Sequence, residues 1–421
     1  MPKRFLFRSL MLLAFASAVL PAAELSLREC VGTALSNNET IRIQELKVEE
    51  ARAKVWVKTA SLLPNLGLNA GYTRLRTATD DYTASLVLNQ PLFAGGKYWQ
   101  DRALAELELQ QAELELEKVK QELTLAVAAA YYSLWHAQDI LSASVQSLNN
   151  LRAYYNKSKQ LSEQTRSPRP EELLQIEVQL GSVEITVDNA ELAWWQARNL
   201  LDNLLTVLPV KPTYRDDESR EFTFAAEPTL NAALPENVFA KVENNYAHRL
   251  ARLTERQREI AVKSAESAYW PQINLQAYTG VEWGETFPRD ETTYAQWGVS
   301  LQMLLFDFFK TPQSVQQSVK AQEQTLLNTE LLSRNELIKY SDARSALRSA
   351  GKKIELTAQN AGRAERSLQL YQERGQSYTA NSKQLLDAEQ TALQARISQL
   401  DSTLDYNLQA IELKQLLGES L

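Results

Sequence analysis

The sequence is poor in the residues that interrupt regular structure. It holds 13 glycines and 13 prolines among 421 residues, whereas Leu, Ala, Gln and Glu recur throughout. Neither glycine nor proline occurs between Lys97 and Gln164. At 1.5 Å of rise per residue, that stretch corresponds to roughly 100 Å of continuous helix. The composition therefore predicts unusually long helices.

The residues that carry enzyme and metal chemistry are scarce as well. Cys30 is the one cysteine, which excludes an intrachain disulfide. The two histidines, His136 and His248, fall on separate predicted helices, without the cysteine or carboxylate spacing of a metal site. The sequence also lacks a glycine-rich phosphate-binding loop. We therefore expect no catalysis, no cofactor and no bound metal, and we interpret both histidines as surface or helix-packing residues.

Positive charge and long apolar runs are also limited. The formal net charge is −7, and a mildly acidic chain argues against nucleic acid as a partner. After the N-terminal region, no stretch of 18 apolar residues occurs. The sequence thus predicts no transmembrane helix.

The first residues have the pattern of a secretory signal. Lys3, Arg4 and Arg8 precede an apolar run from Leu10 to Leu20, and small residues follow. This pattern predicts a signal peptide at residues 1–23, with a short membrane anchor as the alternative.

Cys30 follows that region, but its neighbours do not resemble a lipidation signal. The preceding residues, Leu27, Arg28 and Glu29, are bulky and charged. A lipoprotein signal needs small neutral residues there. We therefore predict that Cys30 faces the protein core in the first helix and is not lipidated.

The sequence contains an internal duplication. Residues 61–68 resemble 268–275 at an offset of 207, residues 91–93 resemble 304–306 at 213, and residues 173–177 resemble 385–389 at 212. A period this long indicates two copies of a half-domain. The prediction is a first repeat at 24–208, a linker at 209–235 and a second repeat at 236–421. The expected elements are strands at about 65–93 and 272–306, long helices at 97–164 and 312–374, and helices at 170–206 and 382–417.

Both long helices carry an apolar seam with alternating three- and four-residue steps, which is typical of coiled-coil packing. Leu107 and Leu114 lie off the first seam, which indicates neighbours on two sides. An ordinary antiparallel bundle is the alternative. The first seam comprises Leu109, Ala112, Leu116, Val119, Leu123, Ala126 and Ala130, and the second comprises Ala343, Leu347, Ala350, Ile354, Thr357, Ala361, Ala364, Leu368 and Tyr371.

The predicted strands alternate between apolar and polar residues. Leu66, Leu68, Ala70 and Tyr72 alternate with small or polar residues, and Trp297 to Leu305 does the same. A transmembrane β-barrel strand and a soluble sheet that covers a core share this pattern. The export signal and the charged loops within each strand pair favour the membrane. Since four strands cannot close a barrel, two, three or four copies would have to join.

Several motifs together resemble a known family. They are Leu-Ser-Leu-Arg-Glu-Cys at 25–30 with Ala-Leu-Ser-Asn-Asn at 34–38, Asn-Gln-Pro-Leu-Phe-Ala-Gly-Gly at 89–96, and Leu-Tyr-Gln-Glu-Arg at 370–374 with Leu-Leu-Asp-Ala-Glu at 385–389. Tyr-Asn-Leu at 406–408 and Leu-Leu-Gly at 416–418 complete the set. The chain resembles the TolC-like outer membrane efflux channels over essentially its whole mature length.

The resemblance implies a mainly α fold with a transmembrane β region. Three copies would form a twelve-strand barrel in the outer membrane, continuous with a helical barrel in the periplasm, with a mixed belt at 209–235. The implied function is a passive exit duct that docks onto an inner-membrane transporter, usually through a periplasmic adaptor, in efflux or type I secretion. The alternatives are a periplasmic adaptor or a coiled-coil scaffold of the envelope.

The resemblance also implies where the duct narrows and docks. Asp387 and Gln384 correspond to the periplasmic constriction, where acidic residues of three subunits would form rings. The alternative for Asp387 is a position in the first turn of a helix, where a negative charge suits the helix dipole. The two helical turns at the tip are the expected contacts for adaptor or transporter, and plain solvent exposure is the alternative there. Their candidate residues are Ser167, Pro168, Pro170, Tyr378 and Thr379.

Overall fold

A computed structural model describes residues 26–74, 80–165, 170–206, 245–283, 291–376 and 382–419. The predicted signal peptide at 1–23 and the predicted linker at 209–235 lie outside these ranges.

The described chain consists of helices and one small sheet. Two helix–strand–strand–helix–helix arrangements follow one another along the chain. The elements are α1 (Leu27–Asn37), α2 (Glu39–Ala60), β1 (Asn65–Arg74), β2 (Asp80–Ala94), α3 (Lys97–Thr165), α4 (Pro170–Leu204), α5 (Tyr246–Glu266), a 3₁₀ turn (Ser267–Tyr269), β3 (Gln272–Trp283), β4 (Glu291–Gln302), α6 (Lys310–Gln376) and α7 (Ser382–Leu417). With 69 and 67 residues, α3 and α6 are each about 100 Å long at 1.5 Å per residue.

Two asparagines at equivalent positions begin helices and join them to the rest of the fold. Asn38 Oδ1 accepts a hydrogen bond from the Thr40 amide at 2.9 Å, and its Nδ2 donates to the Leu204 carbonyl at 3.1 Å. Asn245 Oδ1 accepts from the His248 amide at 2.9 Å, and its Nδ2 donates to the Leu416 carbonyl at 3.4 Å. Each side chain therefore caps one helix N-terminus and satisfies a carbonyl at the end of another helix.

The larger of the two packed clusters lies where α1, α3, α6 and the ends of α4 and α7 meet. Ala34, Val127 and Ala410 are fully buried in it. Cys30 is also buried there, which confirms the prediction that it faces the core. Burial raises the pKa of its thiol to about 11, so the thiol stays protonated and unreactive at neutral pH.

The predicted seam is confirmed for α6, and for α3 it is confirmed except at Ala126. The described seam residues of α6 are buried or half-buried. In α3, by contrast, Ala126 is exposed, whereas Leu107 and Leu114, which the pattern places off the seam, are buried. The reason is that α3 contacts α1, α2 and α5 as well as α4 and α7. Its buried surface thus combines two stripes, as the prediction of neighbours on two sides requires.

The four strands form one antiparallel sheet in the order β1-β2-β3-β4. Its register places Leu66 opposite Leu88, Leu88 opposite Ala277 and Ala277 opposite Trp297. The apolar positions of all four strands therefore share one face. That face is open in the single chain, where Leu68 is 73% exposed and Trp297 78% exposed.

The strand predicted to reach residue 306 ends earlier, at Gln302. Gln302 pairs with Gln272, the first residue of β3, and Pro271 precedes that residue. Proline has no backbone N–H to donate, and the chain turns there into the 3₁₀ segment. Residues 303–306 consequently have no ladder partner among the described residues of one chain, although their apolar pattern continues that of β4.

Candidate functional site

The ends of the two helical hairpins, α3–α4 and α6–α7, form the region where the sequence places the constriction. A second packed cluster joins these hairpins through α3, α4 and α7. We call it the tip cluster, and its buried residues are Leu148, Leu151, Ile176, Val183 and Leu386. Ile176 is fully buried. The tip of the molecule thus has a core of its own, separate from the larger cluster described above.

Asp387 and Gln384 both lie on the exposed side of α7. The residues on either side of Asp387, Leu386 and Ala388, are buried. Because both neighbours pack inward, the helix directs the Asp387 side chain outward.

The structure describes one of the five predicted tip-turn residues. Pro170 is exposed and is the first residue of α4, a position where proline has no hydrogen bond to lose. Ser167, Pro168, Tyr378 and Thr379 lie outside the described residues.

Glu389 was not singled out in the sequence analysis, yet it is the buried acid of this region. Its Oε1 accepts hydrogen bonds from Ser147 Oγ at 3.1 Å and from Asn150 Nδ2 at 3.2 Å, so it joins α7 to α3. Desolvation raises the pKa of its carboxyl group, and the two hydrogen bonds oppose that rise. The sequence feature that could have pointed to Glu389 is its place in the duplicated motif at 385–389.

The equivalent acid of the first repeat behaves differently. Glu177 lies on the exposed side of α4, and its Oε1 accepts a hydrogen bond from the Tyr155 hydroxyl at 2.8 Å. That bond raises the pKa of Tyr155. One motif therefore buries its glutamate in the second repeat and exposes it in the first.

The sheet carries aromatic residues at both ends. Tyr72 and Tyr82 are paired across β1 and β2, with ring centroids 4.9 Å apart, next to the hairpin loop. At the opposite end, the rings of Phe93 and Trp270 meet edge to face at 6.4 Å. An apolar band between aromatic ends is typical of strands that face lipid.

The remaining candidates for chemistry are the two histidines, which lie apart from each other in the fold, on different helices. His136 Nε2 lies 2.8 Å from Asp401 Oδ1, and His248 is buried beside the cap of α5. Among the described residues, no three histidine, cysteine or acidic side chains are grouped as metal ligands. Within the same ranges, no helix is both long and apolar enough to cross a bilayer.

Comparison with known proteins agrees with this architecture. A family model for outer membrane efflux proteins matches residues 30–206 and 242–419. The chain is 24% identical to a probable outer membrane lipoprotein, SilC of Salmonella typhimurium, over 92% of this chain and 84% of the relative.

Solved structures show the same fold at low sequence identity. A membrane protein from Pseudomonas aeruginosa superposes with a TM-score of 0.81 at 19% identity, covering 94% of this chain and 90% of that one. The Campylobacter jejuni CmeC outer membrane channel gives 0.80 at 17% identity, with 93% and 85% covered. The open-state MtrE outer membrane channel of Neisseria gonorrhoeae gives 0.78 at 19% identity, with 96% and 94% covered.

The family model covers both repeats, and the fold agrees with channel structures along almost the whole chain. Neither finding favours the periplasmic adaptor or the scaffold. The chain therefore belongs to the outer membrane efflux protein family, and it is a channel protein of the outer membrane.

Proposed function

We propose that three copies of this chain close into one passive exit duct of a tripartite efflux pump or a type I secretion system. The observation that carries the proposal is the sheet, which has an open apolar face and two unpaired edges, β1 and β4. Unpaired edges are not tolerated in lipid, so the sheet must be completed by other copies.

The internal duplication supplies the pairing between copies. Within the chain, β2 pairs with β3, placing Leu86 opposite Thr279 and Leu88 opposite Ala277. Adding 213 to a β2 residue number gives its equivalent in β4, and subtracting 207 from a β3 residue number gives its equivalent in β1. The two pairs therefore predict that Val299 lies opposite Tyr72 of the next copy, and Leu301 opposite its Ala70. All four of these residues lie on the apolar face.

The same conversion explains why β4 stops early. Residues 90–94 of β2 are paired because β3 lies beside them. Their equivalents, 303–307, would pair with β1 of the next copy, beginning at Asn65. The contact is head to tail, and such contacts close into a ring when the rotation fits. Three copies give twelve strands, the number that the family resemblance implies.

The remaining assignments follow the resemblance. Residues 1–23 would direct export. The repeats at 24–208 and 236–421 would each supply one strand pair and a share of the helical wall. The linker at 209–235 would form the belt. Asp387 and Gln384 would line the periplasmic constriction. Ser167, Pro168, Pro170, Tyr378 and Thr379 would contact a periplasmic adaptor or an inner-membrane transporter.

The test is cell fractionation, followed by measurement of the mass and the conductance of the extracted protein. The full-length chain, expressed with its leader, is expected in outer membranes and, after detergent extraction, as a trimer in native mass spectrometry. The extracted protein is expected to give stepwise conductance in planar bilayers. A soluble periplasmic monomer without conductance would contradict the proposal.

A further inference from the structure

The turn between β4 and α6 contains two phenylalanines in a backbone conformation that suits glycine. Phe308 has φ 53° and Phe309 has φ 65°. In the first repeat the equivalent positions, 213 residues earlier, are Gly95 with φ 60° and Gly96 with φ 82°. A residue with a Cβ is strained in this left-handed region, whereas glycine is not. The second repeat thus keeps the turn but places strained aromatic residues in it.

The glycine turn of the first repeat is closed against its own chain. A Cβ on Gly95 would lie 2.7 Å from the Ser267 carbonyl oxygen and 2.7 Å from the Trp270 Cβ. Only glycine fits so close an approach. These two contact residues precede β3, the strand that pairs with β2.

The phenylalanine turn, by contrast, is open in one copy. Phe308 is 85% exposed and Phe309 68% exposed. Their rings lie 4.8 Å and 6.3 Å from the ring of Phe306, so the three rings form one apolar cluster. This cluster continues directly from residues 303–307, the unpaired end of the β4 edge.

The duplication identifies what would face this cluster. The equivalents of Ser267 and Trp270, 207 residues earlier, are Ala60 and Leu63, which precede β1. Both are exposed in the single chain. Resting on the proposed ring, we infer that Phe308 and Phe309 form an aromatic wedge that packs onto Ala60 and Leu63 of the neighbouring copy.

The receiving surface has changed together with the wedge. Trp56 and Val57 lie on α2 just before Ala60 and are 67% and 61% exposed. Their equivalents on α5, near the glycine turn, are Lys263 and Ser264. The end of α2, which would contact the phenylalanines of another copy, is therefore apolar. The end of α5, which lies near the glycine turn of the same chain, is polar.

The wedge makes the two kinds of junction unequal. A phenylalanine cannot approach as closely as Gly95 does, so the junction between copies is wider than the junction within a chain, with aromatic rings in the added space. In a single chain the strained turn and its exposed rings are both unfavourable. Assembly buries the rings and thereby offsets the strain.

Cysteine cross-linking tests the contact in the full-length protein. In a Cys30→Ala background, the pair Phe308→Cys and Leu63→Cys is expected to give covalent dimers and trimers under mild oxidation, reversed by reductant, because a disulfide needs Cα atoms within about 7 Å. The control pair, Leu356→Cys with Leu63→Cys, uses another exposed residue, far along α6. It is expected to give monomer only.

Glycine substitution tests the energetics. The variant Phe308→Gly/Phe309→Gly relieves the backbone strain, so it is expected to insert normally, while its detergent-extracted trimer dissociates several degrees lower on heating than the wild type. Phe308→Leu, which keeps an apolar side chain, is expected to lose less.

The results distinguish a failure of the proposed wedge from a failure of the proposed duct. If the wild type is a trimer but the cysteine pair gives no covalent oligomer, or the glycine variant dissociates at the wild-type temperature, the wedge is wrong and the rings face lipid instead. If the wild type forms no trimer, the proposed duct fails and the wedge fails with it.

Discussion

The two glutamates of the duplicated motif show how one residue type takes two roles. Glu389 is 6% exposed and holds α7 to α3, whereas Glu177 lies at the surface beside Tyr155. A buried carboxylate is costly unless it is hydrogen-bonded or protonated. We therefore expect the packing of the second hairpin to depend on pH through Glu389.

Glu389→Gln is expected to remove this dependence. The folded-state pKa of Glu389 is raised, so its contribution to stability is full below the ordinary glutamate pKa and is lost as pH rises through the raised value. Glutamine keeps the acceptor for Ser147 and Asn150 without the charge. We expect the variant to melt above the wild type at neutral pH, by circular dichroism, and the two curves to converge in acid. Glu389→Ala, which loses the acceptor, is expected to melt lower throughout.

Asp387→Ala tests the proposed constriction. Removing three carboxylates from a ring near the axis is expected to weaken block by divalent cations and to lower the preference for cations in planar bilayers. Gln384→Ala, one turn earlier on the same exposed side, is the control and is expected to change cation preference little. The helix begins at Ser382 and has no acidic residue in its first turn, which overturns the helix-dipole alternative. An Asp387→Ala channel with wild-type conductance and block would contradict the constriction.

The sequence names Asp387 as a constriction residue, which stays a prediction, and it does not name Glu389. Both acids occupy the duplicated motif at 385–389, and the exposed position of Asp387 needs only helical geometry. Glu389 does not stand out, because its burial depends on Ser147 and Asn150, which are about 240 residues away in the chain. The same reason accounts for exposed Ala126 and for buried Leu107 and Leu114 in α3, since contacts from α1, α2 and α5 decide which stripe is buried.

At the scale of elements, the sheet depends on close approaches that only glycine allows. A Cβ on Gly280 of β3 would lie 2.6 Å from the Ala84 carbonyl oxygen and 2.8 Å from the Ser85 Cβ. Gly298 of β4, in contrast, has open space around that position. The two glycines therefore differ in what they contribute, although both lie within strands.

Gly280→Ala is expected to impair the sheet, and Gly298→Ala is its matched control. Overpacking typically costs about 1–3 kcal/mol, and here backbone atoms of the neighbouring strand must move. We expect a smaller fraction of Gly280→Ala in the folded, heat-modifiable form on gels of outer membranes. Gly298→Ala is expected to match the wild type. Equal folded fractions for both variants would contradict the close approach.

At the scale of the whole molecule, the two repeats keep the same register. Asn65 pairs with Asn89 in the first, and the equivalent residues Gln272 and Gln302 pair in the second. The order of elements was readable from the sequence because the repeated motifs lie at element boundaries. The end of β4 was not, because alternation continues to Leu305 while its partner strand is absent from the single chain.

The register between copies can be checked with one cysteine pair. In a Cys30→Ala background, Ala70→Cys with Leu301→Cys is expected to link neighbouring copies, since both side chains lie on the apolar face in the proposed pairing. Ala70→Cys with Ser300→Cys is the control, because Ser300 points to the opposite face. Links through Ser300 but not through Leu301 would show a register shifted by one residue.

The paired asparagine caps, Asn38 and Asn245, show how complete the equivalence of the two halves is. A chain half as long, assembled six times, would satisfy the same strand pairings as the proposed ring. Covalent fusion makes three of those six junctions intramolecular, where effective concentrations reach the millimolar range without any new contact. Assembly of such a ring then requires two bimolecular encounters rather than five. The two kinds of junction are also free to evolve apart, as Gly95 and Phe308 have done.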